Sequence, residues 1–167
     1  MFSIFKYFQK SSISPNNKKF LIVGLGNIGE EYTNTRHNIG FDIVDQLGRI
    51  LKGTFNAAKY GDILKSKYAG KQIILLKPNT FMNLSGKAVL YWLKKEKIHT
   101  NNLIVIVDDL NINFGVSRLK PSGSDGGHNG LKDITNSLNT SSFTRLRFGI
   151  GNNFKKKDQV DFVLSKW

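Results

Sequence analysis

Two runs in this sequence have no polar face: Phe20-Leu-Ile-Val23 and Leu103-Ile-Val-Ile-Val107. A strand with one side in water alternates apolar and polar residues, whereas a strand covered on both sides does not. The first run ends at Gly24-Leu-Gly26-Asn27, where glycines would let the backbone turn sharply. A helical pattern follows Arg36-His37-Asn38: Phe41, Val44, Leu47 and Leu51 share one face, Asn38 fits the N-cap, and Asp42 and Asp45 suit a first turn. Asn27 then sits at the carboxyl end of a buried strand and His37 just ahead of a helix N-terminus. In open α/β sheets that rim is where ligands bind.

The rest of the chain continues the alternation. Ile63-Leu-Lys-Ser-Lys-Tyr68 and Gln72-Ile-Ile-Leu-Leu76 read as two strands joined at Ala69-Gly70-Lys71, and the second leads into Asn79-Thr-Phe-Met-Asn83. A helix is expected from about Ser85, with Ala88, Val89, Trp92 and Leu93 packed and Lys94, Lys95 and Lys97 at its C-terminal end. The second buried strand ends in Asp108-Asp109. Short segments around Val116–Lys120 follow, then the glycine-rich loop Ser122–Gly130 and a short helix over Leu131–Leu138. Arg145-Leu-Arg-Phe-Gly-Ile150 alternates as a strand, basic on one face and apolar on the other. The expectation is a single α/β domain over residues 20–167: a mixed twisted sheet with helices on both faces and the active cleft at the strand carboxyl ends.

Composition narrows the partners. The formal net charge is +13, of which residues 1–19 supply +4 and the remainder +9. So basic a body points to a polyanion, nucleic acid first and an anionic membrane second, with a solvated Lys- and Asn-rich surface as the plain alternative. No apolar run approaches a membrane span. With no cysteine there is no disulfide, Cys nucleophile or thiolate metal site, and a reducing compartment, the cytoplasm, is the simple reading. Residues 1–19 are basic and Ser-containing but lack arginine and a clear cleavage signal. They read as a flexible extension, with an organelle as the alternative location if they are a targeting segment.

Three strands each finish in a polar residue: Asn27, Asn83 after a short loop, and Asp108; the glycine loop adds His128 and Asn129. A carboxylate that orients an imidazole, an imidazole that takes a proton from water, and amides that bind an oxyanion make a general-base hydrolysis site. Each piece has a duller reading. A lone His before a helix is often structural, Asp108 could cap a turn, Asn83 could cap the next helix, and Gly126-Gly127 could be only a tight turn. Rival chemistries fit less well. Gly24-x-Gly26-x-x-Gly29 has the dinucleotide spacing, but a polar run, Glu30–Asn34, stands where the helix should open. Gly86-Lys87 lacks the rest of a phosphate loop, no Gly-x-Ser-x-Gly elbow exists, and His37, His99 and His128 have no zinc-type spacing.

Three blocks, LIVGLGNIGEEYTNTRHNIGF, KPNTFMNLSGKAV, and GSDGGHNGLKDI with RLRFGIGN, resemble the bacterial-type peptidyl-tRNA hydrolase family over roughly residues 20–166. The resemblance implies an enzyme that cleaves the ester between a peptide and the 3′ end of tRNA, recycling tRNA from aborted translation without metal or cofactor. It implies His37 as the base that activates water, Asp108 as its orienting carboxylate and Asn27 as the discriminator of blocked from free aminoacyl groups. Tyr32, Phe81, Asn83 and Asn129 would contact the tRNA 3′ end or the peptide, and Lys120 and Arg147 would clamp tRNA phosphates. Peptidyl-tRNA, through its acceptor stem and 3′ end, is the expected partner, with no DNA and no membrane, and monomer is the default state. Ile28 stands where the family usually has proline. The chain also stops at Trp167, where members usually continue through a helix beside the cleft. The runner-up is a non-catalytic RNA-binding relative of the intron-splicing-factor type. Retention of His37, Asp108 and the three asparagines favours the enzyme.

Overall fold

The computed structural model of the protein describes residues 18–167, so the reading of the N-terminal segment as an extension lies almost wholly outside the described residues. The buried runs are indeed the middle of a sheet. Its seven strands are β1 (Lys19–Gly24), β2 (Asn56–Ala58), β3 (Gly61–Tyr68), β4 (Lys71–Pro78), β5 (Leu103–Asp109), β6 (Ser117–Lys120) and β7 (Thr144–Gly149), in the order β2-β3-β4-β1-β5-β7-β6. Strands β4, β1, β5 and β7 are parallel, while β2, β3 and β6 add antiparallel edges, so the sheet is mixed as expected. β1 begins at Lys19, paired with Gln72, one residue before the expected domain boundary.

Helix α1 (Ile39–Ile50) covers one face, and α2 (Ser85–Glu96) and α3 (Asn129–Leu138) cover the other. Alternate residues of each central strand feed the two cores. Leu21, Val23, Leu103, Val105 and Val107 pack with Trp92 of α2 and Ile134 of α3. Phe20, Ile22, Ile104 and Ile106 pack with Val44 and Leu47 of α1. Burial on both sides is why neither run has a polar face.

This layering fixes where a cleft can form. The chain leaves β1 toward β4 and then crosses back from β4 toward β5. Right-handed crossovers in opposite directions put α1 and α2 on opposite faces. The crevice at that reversal opens between the carboxyl ends of β1 and β5. Asn27 follows β1 and Asp108 lies at the end of β5.

The glycines after β1 work differently from the expectation. Neither Gly24 nor Gly26 has a positive φ; of this group only Gly29 does. A Cβ on Gly24 would meet the Gly40 carbonyl oxygen at 2.1 Å, and one on Gly40 would meet Leu25 N at 2.4 Å. These glycines serve close approach, letting the start of α1 lie directly on the end of β1. Gly29 opens a 3-10 turn, Glu30–Tyr32, so the dinucleotide spacing does not lead into an α-helix.

Candidate active site

His37 lies in a 3-10 turn, Arg36–Asn38, that runs straight into α1. Asn38 occupies the N-cap position expected for it, yet its side chain caps nothing. Instead its Oδ1 accepts the Asn27 backbone N–H at 2.8 Å, and its Nδ2 donates to the Asn27 carbonyl at 2.9 Å. The capping expectation fails because both ends of the carboxamide are turned to the Asn27 main chain and not to the helix. This clamp ties the β1 loop to the His37 turn.

The Asn27 side chain is oriented in turn. Its Oδ1 accepts the Met82 backbone N–H at 2.9 Å. Only oxygen can face that donor, so the Asn27 amide N–H groups are the ones left to meet a ligand.

Asp108 and Asp109 are adjacent but point apart. Asp108 shares the parity of Ile104 and Ile106 on the α1 side of the sheet, while Asp109 shares that of Val107. Asp109 takes the Asn111 backbone N–H and pairs with the Arg147 guanidinium. Asp108 faces two imidazoles: its Oδ1 lies 2.8 Å from His37 Nδ1 and 3.1 Å from His128 Nε2. Its side chain is only 4% exposed. Burial alone would raise the Asp108 carboxyl, but its pairing with His128, followed by that with His37, holds it well below the usual carboxylate range. An ionised carboxylate only accepts, so His37 Nδ1 carries the proton and Nε2 keeps its lone pair. That is the tautomer a general base needs.

A depressed carboxyl has a consequence for stability. The contribution of Asp108 is complete above the ordinary aspartate value of about 3.9 and is lost as pH falls toward the depressed one. Urea titrations from pH 6 to 2 should therefore show a shallower acid loss for Asp108→Asn than for the natural chain. An equally steep loss would contradict the depressed carboxyl.

A cavity of about 530 Å³ surrounds this pair. Of the nine expected site residues, Asn27, Tyr32, His37, Phe81, Asn83, Asp108, Asn129 and Arg147 line it, and Lys120 does not. Lys120 lies on the outer strand β6 opposite Arg145; the residue paired with Arg147 is Arg118. Arg145 also departs from the expected basic face. It is 1% exposed, its guanidinium stacked 4.2 Å from the centroid of Phe143. The glycine loop covers a strand face that alternation alone assigns to water, a Cβ on Gly123 lying 3.7 Å from Arg145 Nη1.

Two parts of the site carry weaker sequence signals. His128 caps α3, its Nδ1 accepting from Gly130 N and Leu131 N, so the helix starts two residues before the expected Leu131. The other is a short helix, α4 (Gln159–Leu164), which places Gln159, Val160, Val163 and Leu164 along the cavity. It is held by Arg36, which donates to the Lys166 carbonyl at 2.7 Å and stacks on Phe162.

His37, Asp108 and His128 are also the one group among the described residues whose metal-ligand atoms converge, within 4.8 Å of one another. The donor set does not fit a cation. With Nδ1 of His128 occupied by two amides, its Nε2 bears the proton and turns an N–H, not a lone pair, to the centre.

The family model described as peptidyl-tRNA hydrolase matches residues 21–167. The chain belongs to the peptidyl-tRNA hydrolase family. It is 56% identical over 149 residues to a peptidyl-tRNA hydrolase of Parabacteroides distasonis, covering 89% of this chain and 80% of that protein. With one from Bacteroides fragilis it shares 57% over 146 residues, covering 87% of this chain and 78% of the relative. The crystal structure of peptidyl-tRNA hydrolase from Acinetobacter baumannii superposes with a TM-score of 0.86 at 39% identity, over 93% of this chain and 80% of that one. The single mixed α/β fold is thus the fold of this hydrolase family.

Proposed function

We infer that the protein is a peptidyl-tRNA hydrolase, cleaving the ester between a peptide and the 3′ end of tRNA. The observation that carries the chemistry is the His37–Asp108 pair, Nδ1 to Oδ1 at 2.8 Å, at the wall of a cavity lined by carboxamides. In the mechanism we propose, His37 Nε2 takes a proton from water as its oxygen attacks the ester carbonyl carbon. The Asp108 carboxylate stabilises the imidazolium that forms. The developing oxyanion meets a carboxamide N–H of the cavity wall, with Asn129 the candidate. Collapse breaks the bond to the 3′ ribose oxygen, which takes the proton back from His37, leaving free peptide and tRNA.

Substrate contacts follow the same line. The Asn27 N–H groups suit the carbonyl of a blocked amino group. Exposed Phe81 with Tyr32 and Asn83 offers stacking and hydrogen bonds to the 3′ nucleotides. Arg147 and Lys120 would hold backbone phosphates of the acceptor stem, Arg147 from the cavity wall and Lys120 from the neighbouring edge strand. We further propose that the protein acts as a monomer in the cytoplasm and does not take DNA. The runner-up, a non-catalytic RNA-binding relative, finds no support in the comparisons with known proteins.

Incubation with N-blocked aminoacyl-tRNA should release the blocked amino acid. Tight tRNA binding without release would favour the runner-up. Arg147→Ala or Lys120→Ala should weaken binding to all tRNAs alike and reduce the salt slope by roughly one ion for each phosphate no longer held. Unchanged affinity at several salt concentrations would leave the residue tested as solvated surface.

A further inference from the structure

We propose that His128 is a positioning residue, a fixed Nε2–H donor that holds the Asp108 carboxylate turned toward His37. The proposal rests on the hydrolase reading for its kinetic consequence, though not for its geometry. His128 sits at the N-cap of α3, and its Nδ1 is 3.2 Å from Gly130 N and 3.4 Å from Leu131 N. Both partners are donors, so Nδ1 must supply a lone pair and the ring proton lies on Nε2. That N–H points at Asp108 Oδ1, 3.1 Å away. Adding a second proton at Nδ1 would set N–H against N–H at the positive end of a helix. His128 is thereby a neutral donor with one tautomer, unlike His37, which must gain and lose a proton.

The shared acceptor atom gives this arrangement its effect. His37 and His128 both bond Oδ1, with ring centroids 4.9 Å apart and planes tilted by 42°. The second donor fixes the carboxylate's rotation and withdraws charge from the oxygen that faces His37. Asp108 then orients the base without holding its proton so tightly that the base stays charged. The other charged groups around the trio are already engaged. On the β5 and β7 side Asp109 pairs with Arg147, and in the glycine loop Asp125 takes the Gly127 N–H. On the 3-10 turn Arg36 is directed at Ser165 and Lys166. Of the site's donors, His128 is the one that reaches Asp108 from outside the His37 turn.

Two substitutions separate the cap from the donor. Asparagine is among the best N-cap residues but is too short to reach Asp108. Glutamine extends an amide N–H about as far as Nε2 but is a poor cap. His128→Asn should keep the α3 cap and lose Tm only through the donor taken from buried Asp108, while kcat falls on the order of 10-fold with KM little changed, short of the 10²-fold that a misplaced catalytic group can cost. Its acid limb should move to higher pH, because the freed carboxylate binds the His37 proton more tightly. His128→Gln should lower Tm yet recover most of the rate, with the acid limb back near its original position. If the rate follows Tm instead, so that His128→Gln is the more impaired, or if His128→Asn has unchanged kcat and acid limb, His128 is a helix cap only. Imidazole ¹⁵N shifts of the natural protein give an activity-independent check. A neutral Nε2–H tautomer through the range of activity is expected, and an Nδ1–H tautomer overturns the proposal. Should the natural protein fail to hydrolyse N-blocked aminoacyl-tRNA while showing that tautomer, the hydrolase reading falls and the donor geometry stands.

Discussion

His37→Ala should reduce hydrolysis of N-blocked aminoacyl-tRNA to near background, a loss of about 10²–10⁴-fold on the scale of general acid–base catalysis. Affinity for the tRNA should stay within a few-fold, because the imidazole contributes a proton transfer and little binding surface: its side chain is 12% exposed. A fall in kcat with binding unchanged marks a group that acts in the transition state. The substitution also frees one hydrogen bond of Asp108 but leaves that from His128 in place, so the fold has a remaining partner for the buried carboxylate. Single-turnover rates and equilibrium binding measured on the same preparation make the test. Turnover near that of the natural chain would remove His37 from the mechanism.

Asp108→Asn should lower the rate plateau by about 10²-fold or more. The amide keeps the shape of the carboxylate but not its charge, so the imidazolium that forms during attack loses its counter-charge. An amide can also donate to Nδ1, which admits the tautomer with the wrong nitrogen protonated. The direction of the pH effect follows from the same pairing. A carboxylate beside the ring favours its protonated form, and activity needs the neutral one. Removing the charge therefore shifts the acid limb of kcat/KM to lower pH even as the plateau drops. This is opposite to the shift expected for His128→Asn, since one change removes the negative charge and the other concentrates it on His37. A general folding defect moves the plateau alone. A pH–rate profile with an unchanged plateau, or an acid limb displaced upward, would sink the His37–Asp108 pairing as the catalytic one.

Strand ends were legible because the signals behind them are local. The runs Phe20–Val23 and Leu103–Val107 announce strands covered on both faces, and the residues after them, Asn27 and Asp108, must then lie on one rim of a parallel sheet. The motif blocks carried the family and the candidate site, and eight of the nine residues named from sequence do line one cavity. What remained for the tertiary structure was which atom each polar side chain meets. Asn38 has the residue type and position of a cap, yet a backbone brought beside it by the close packing of Gly24 on Gly40 claims both ends of its carboxamide. Adjacent Asp108 and Asp109 look equivalent in a sequence; strand alternation and the distant partners His37 and Arg147 tell them apart. Arg145 reads as a basic surface residue until the glycine loop and Phe143 close over it, and register, not spacing, sets Lys120 opposite Arg145. The helix over Gln159–Leu164 became part of the site through residues that follow it meeting Asn34, Thr35 and Arg36, more than a hundred residues earlier in the chain. Hydrophobic period and glycine placement act over a few residues and can be read directly, whereas a hydrogen bond has a direction and a partner that exist only once the chain has folded.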